Sequence, residues 1–169
     1  VNFGRLTTLS GQAYINDVTV LADDYGLEVS GGRMHVERVR VIGGVEAGAV
    51  VEGELRATAL LMEDTDGTGV YIWQGGKASL TNSIVRHAVR SGVEVAQDDS
   101  VAVLTNVWIH DTQIEPGTGY GGVFALFGGT VKATDLRVTR AQGIGIYVAE
   151  AHVELERVTA EDTVPAGLN

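Results

Sequence analysis

A glycine followed by an alternating apolar pair recurs along the whole chain, and this repeat constrains the fold more than any other feature. The copies are GRLTTL at 4, GLEV at 26, GAVV at 48, GVYI at 69, GVEV at 92, GVFAL at 122, GIYV at 145 and GL at 167. The steps between these glycines are 22, 22, 21, 23, 30, 23 and 22 residues. A second motif lies between them: an apolar residue, two mostly polar residues, then apolar-x-apolar. Its copies are INDVTV, VERVRV, ATALLM, LTNSIV, LTNVWI, ATDLRV and LERVTA. Only LTNSIV puts a polar residue, Ser83, at an expected core position.

Each unit therefore reads as three short strands of period two separated by turns. The glycines are expected to open strands where the chain turns tightly. No stretch holds a period of 3.6, and the leucine-rich-repeat pattern is missing. Three strands per turn at this period predict a coil whose turns stack at about 4.8 Å, the spacing of paired strands. Seven such turns give a rod roughly 34 Å long. Each position then lies over its equivalent one turn earlier. One inward column reads Leu27, Ala49, Val70, Val93, Val123, Ile146; a second reads Val29, Val51, Ile72, Val95, Ala125, Val148. A third reads Val18, Val39, Leu60, Ser83, Val107, Leu136, Val158.

The segments GVEVAQDDSVAVLTNVWIHDT and GIYVAEAHVELERVTAEDT resemble the repeats of right-handed parallel β-helix proteins, the pectin-lyase-like superfamily. The resemblance covers essentially the whole chain. It implies an all-β fold, a single-stranded right-handed parallel β-helix of about seven rungs, and an extracellular or cell-surface setting. The same architecture serves lyases, hydrolases, epimerases, tailspikes and surface proteins, so it does not assign an activity. That family often stacks asparagines in one turn. The corresponding positions here are Asp17, Arg38, Ala59, Asn82, Asn106, Asp135 and Arg157, which leaves Asn82–Asn106 as the expected ladder.

The family's catalytic patterns transfer poorly. Pectate lyases carry Val-Trp-Ile-Asp-His, whereas residues 107–111 read Val-Trp-Ile-His-Asp. A swap of neighbours in a strand sends each side chain to the opposite face. The accompanying Arg-x-Pro-x-x-Arg motif is missing, as are the paired aspartates, Gly-His-Gly and Arg-Ile-Lys of polygalacturonases. No catalytic residue is assigned on this basis. The favoured reading is a non-catalytic secreted or cell-surface module, structural or binding a carbohydrate or protein. The alternative is a polysaccharide lyase, hydrolase or epimerase acting on a glycan such as a uronate polymer. An enzyme of that kind needs bases, histidines and carboxylates converging on one face.

Composition narrows the partners. The 169 residues suffice for a single domain, 1–169, and include no cysteine, so disulfides and thiolate zinc sites are excluded. The formal net charge of −10 disfavours nucleic acid and anionic membranes. No apolar run reaches the roughly 20 residues of a membrane span. No basic-then-apolar leader opens the sequence. The repeat begins and stops close to the two chain ends, as expected for a segment of a longer solenoid. Uncovered end strands would then template end-to-end self-association.

Candidate binding residues follow from the outward positions. After each glycine the outward column holds Glu28, Val50, Tyr71, Glu94, Phe124 and Tyr147, with Trp73 two residues beyond Tyr71. Aromatic rings standing out of a flat sheet stack on the apolar faces of sugars. A second outward column runs Thr19, Arg40, Leu61, Ile84, Trp108, Arg137, Thr159, and its apolar middle reads as a docking patch. The long step from Gly92 to Gly122 places an inserted loop at 112–121, with Glu115 and Tyr120 as its reactive tips. Asp64 and Asp66, in EDTDGTG, resemble the opening of a calcium loop, although Gly75 stands where an EF-hand needs its closing glutamate. The four histidines show no transition-metal spacing, and no cofactor other than calcium is expected.

Overall fold

The computed structural model describes residues 2–113 and 121–163. Strands are the only regular elements among them, and all their pairings are parallel. The coil has three faces. The glycine-led face stacks Leu6–Thr8, Tyr25–Val29, Ala47–Val51, Thr68–Ile72, Val93–Ala96, Gly121–Leu126 and Ile144–Ala149 into a seven-stranded sheet. Six turns of the coil therefore separate its first and last strands.

The second face begins with Gln12–Asn16, Arg33–Glu37 and Glu54–Thr58. The third begins with Asn2–Phe3, Thr19–Ala22, Arg40–Gly43 and Leu61–Glu63. Further along, Lys77–Arg86, Val101–His110 and Thr130–Thr139 each run through both faces without interruption. They bend at Asn82, Asn106 and Asp135, whose φ angles are 51°, 51° and 56°. Where separate turns are expected from sequence, one left-handed residue makes the corner. The same corner is Asp17, Arg38, Ala59 and Arg157 in the other turns. A left-handed residue other than glycine costs roughly 1–2 kcal/mol, least for Asn and Asp. Stacking offsets that cost. Asn106 Nδ2 donates to Asn82 Oδ1 at 2.8 Å, Arg38 Nε donates to Asp17 Oδ1 at 2.6 Å, and Arg157 Nε donates to Asp135 Oδ1 at 2.6 Å.

The inward columns form the core through the middle turns and fail at the two ends: Val18, Ile146 and Val158 are only half-buried, and Val148, expected inward, is 46% exposed. Leu27, Ala49, Val70, Val93, Val29, Val51, Ile72, Val95, Val39, Leu60, Val107 and Leu136 are all buried. Ser83 keeps its place in this column because its hydroxyl is fully used: it accepts from Leu60 N at 3.2 Å and donates to Thr81 O at 2.9 Å.

The repeat glycines have a different reason from the expected one. Gly26, Gly48, Gly69, Gly92 and Gly122 are absent from the positive-φ positions, so backbone freedom is not what selects them. A Cβ at these positions would overlap Val41, Met62, Val85, Ile109 and Val138 in turn, closer than the 3.0 Å that real Cβ atoms keep. Those five side chains are the core of the third face. The glycine column is thus where the glycine-led face closes onto that core.

None of the described residues forms a helix long and apolar enough to cross a membrane.

Candidate functional site

Strand register places Thr7, Glu28, Val50, Tyr71, Glu94, Phe124 and Tyr147 in one outward column on the glycine-led face. Parallel pairing at about 4.8 Å carries each side chain directly over the last. The Tyr71 ring stacks on Trp73 with centroids 5.6 Å apart and planes 20° from parallel. Phe124 and Tyr147 meet at 5.3 Å. Tyr71 and Trp73 are half-buried and Tyr147 is 39% exposed, but Phe124 is only 4% exposed. Phe124 therefore supports Tyr147 from below and does not offer a free ring face. The indole Nε1 of Trp73 is buried and has no hydrogen-bond partner.

Glu94 lies between the two aromatic pairs. Ser91 Oγ donates to its Oε2 at 3.1 Å, and Thr68 Oγ1 reaches the same oxygen at 3.4 Å. The two hydroxyls also touch each other at 3.2 Å, and both residues are buried. Burial pushes the Glu94 carboxyl above its ordinary range; the Ser91 and Thr68 bonds and the more distant Arg90 charge pull the other way and lose. Arg90 itself lies 3.7 Å from Glu46.

The third face carries a different set. Trp108 is in register with Ile84 and Arg137, as its outward position requires. Its Nε1 donates to Thr139 Oγ1 at 2.9 Å, Arg137 lies over the ring at 5.7 Å, and the His110 ring is 4.1 Å away. His110 ends its strand almost buried, with Nδ1 2.6 Å from Asp111 Oδ2. Asp111 takes the next left-handed corner, and Arg140 grips it through Nε and Nη2, both at 2.6 Å. The Arg140 bonds, joined by His110, hold the Asp111 carboxyl well below the usual range against the opposing effect of burial.

Glu63 is a group the sequence reading missed. It is 1% exposed, faces outward, and is bonded by Arg40 on one side and Arg86 on the other. Burial alone would raise its pKa, but the bonds from Arg86 and Arg40 outweigh it and the net shift is down. Part of the signal is in the repeat: Arg86 is in register with Glu63 one turn later, whereas Arg40 is in register with Leu61, two residues before Glu63 on the same outward side. Ser91 and Thr68 were likewise legible only once Glu94 had been aligned with its neighbours.

Asp64 and Asp66 line a shallow open hollow with His87, Val89 and Gln113. Asp64 Oδ1 is engaged by His87 Nδ1 at 2.8 Å. Among the described residues no group of three or more His, Asp or Glu side chains is arranged to hold a metal ion. Glu115 and Tyr120 lie outside the described residues, while Gly121 opens a strand of the glycine-led face.

No curated protein and no solved structure matches the chain. A family model described as a right-handed β-helix region matches residues 26–168, which supplies the handedness of the coil. On its three-faced parallel coil and on that match, the chain belongs to the right-handed β-helix family.

Proposed function

We propose that this chain is a non-catalytic β-helix module, acting outside the cell or at its surface, that binds a glycan along the outer side of the glycine-led face. The observation that carries the reading is the aromatic set of one sheet: Tyr71 with Trp73 on one turn and Tyr147 three strands further along the same outward column, with Glu94 and Phe124 between them. Rings held in register by strand pairing are pre-organised, so little side-chain freedom is lost when a sugar stacks on them. A glycan array, run with and without calcium because of Asp64 and Asp66, tests it. Binding is expected with the unmodified chain and loss of binding with a Trp73→Ala, Tyr147→Ala double variant that still melts cooperatively. Retained binding by that variant would exclude this face. An assay for unsaturated uronate release on any hit is expected to be negative; turnover would favour the lyase alternative.

A further inference from the structure

We propose that the glycan bound on this face is an amino-sugar polymer whose ammonium group seats against Glu94; the proposal rests on the glycan-binding reading above. Three observations carry it. First, Glu94 lies in the middle of the aromatic column, one strand from Tyr71 and one from Phe124. A sugar stacked on one ring places a substituent over the next strand. Second, both hydroxyls that bond Glu94 converge on Oε2. Among the described residues no hydrogen bond reaches Oε1, so this oxygen has capacity for a donor. Third, the column holds two carboxylates, Glu28 and Glu94, and no base. Glu28 is already engaged by Thr7 at 3.1 Å, Ser30 at 3.2 Å and Arg5 at 3.4 Å, whereas Glu94 has only neutral donors in contact.

The physical consequence is directional. A carboxylate withdrawn from water without a contacting cation is costly, and an arriving ammonium removes that cost while making a charge-assisted bond. The burial-raised pKa of Glu94 is the sign of that unmet demand. A neutral sugar hydroxyl satisfies the oxygen only in part, and a uronate brings a like charge to it. The overall charge of −10 adds attraction for a cationic polymer at long range.

The test compares oligomers of matched length: β-linked glucosamine, its N-acetylated counterpart and galacturonate, measured by calorimetry at moderate and high salt. The glucosamine oligomer is expected to bind at least about tenfold more tightly than the N-acetylated one. Glu94→Gln is expected to abolish that preference while the variant keeps its cooperative melt. Equal binding of the cationic and neutral oligomers would overturn the proposal and leave glycan binding standing. So would a preference for galacturonate. A glucosamine preference that survives Glu94→Gln would also overturn it, because bulk charge would then account for the effect. Failure of all three oligomers, together with an empty glycan array, would remove the glycan reading itself.

Discussion

Ala59 holds a left-handed corner with φ 53°, a conformation that costs a non-glycine residue roughly 1–2 kcal/mol. Its neighbours in the corner column are Arg38, which bonds Asp17, and Asn82, which bonds Asn106. Replacing Ala59 with asparagine supplies a side chain that tolerates this conformation and extends the amide ladder by one turn. Ala59→Asn should therefore stabilise the protein by about 1 kcal/mol, seen as a melting temperature a few degrees higher. An unchanged or lower value would mean that ladder contacts add nothing at this corner. Glu63 makes the opposite case. Its carboxylate is buried between Arg40 and Arg86, and its folded pKa lies below the ordinary 4.5. A lowered folded pKa contributes stability above the unfolded value and loses it as pH falls through the folded one. Glu63→Gln should cost about 2 kcal/mol at neutral pH, less than a fully buried pair because both arginines are partly exposed. The difference between wild type and variant should shrink in acid, below pH 4.5, and denaturant melts at neutral and acid pH read it directly.

Along the strands, the period-two pattern was legible because alternation is what a half-buried strand demands, and the inward columns follow from it. The corners were not. Asn82, Asn106 and Asp135 fall inside ten-residue strands, so pattern reading hears a turn where the chain bends at one residue. The glycines stand out in the sequence, yet the reason for them does not. Local sequence cannot show that Val85 of the third face occupies the space above Gly69, because that contact joins different strands of the coil. Two alanine substitutions separate the two explanations. At Gly69 the new methyl meets Val85 and the Gly92 carbonyl, so Gly69→Ala should cost about 2 kcal/mol, the usual penalty of overpacking. Gly4, the first copy of the repeat, has its nearest neighbour 3.8 Å away, at Asp23, and no positive φ. Gly4→Ala should change stability by less than about 0.5 kcal/mol. Equal costs at the two sites would show that the shared motif, and not close approach to the core, selects glycine.

The molecule as a whole is a coil whose turns repeat while its three faces differ. Periodicity revealed the coil, since every turn obeys the same packing rule. The candidate site was only partly legible, because function lies in departures from the repeat. Tyr71, Trp73, Glu94 and Tyr147 were marked by their outward positions. The burial of Phe124 and the Ser91–Thr68 bonds to Glu94 depend on neighbours that a single strand does not contain. The chain contains 2 tryptophans, and the fold puts them on different faces: Trp73 against Tyr71 on the glycine-led side, Trp108 against His110 on the third. Each can thus report on its own face. The direct measurement is tryptophan fluorescence during glycan titration of two single-tryptophan variants, Trp108→Phe and Trp73→Phe. A saturable change is expected for the variant that keeps Trp73 and none for the variant that keeps Trp108. A response confined to Trp108 would place the ligand on the third face and rule out glycan binding on the glycine-led face.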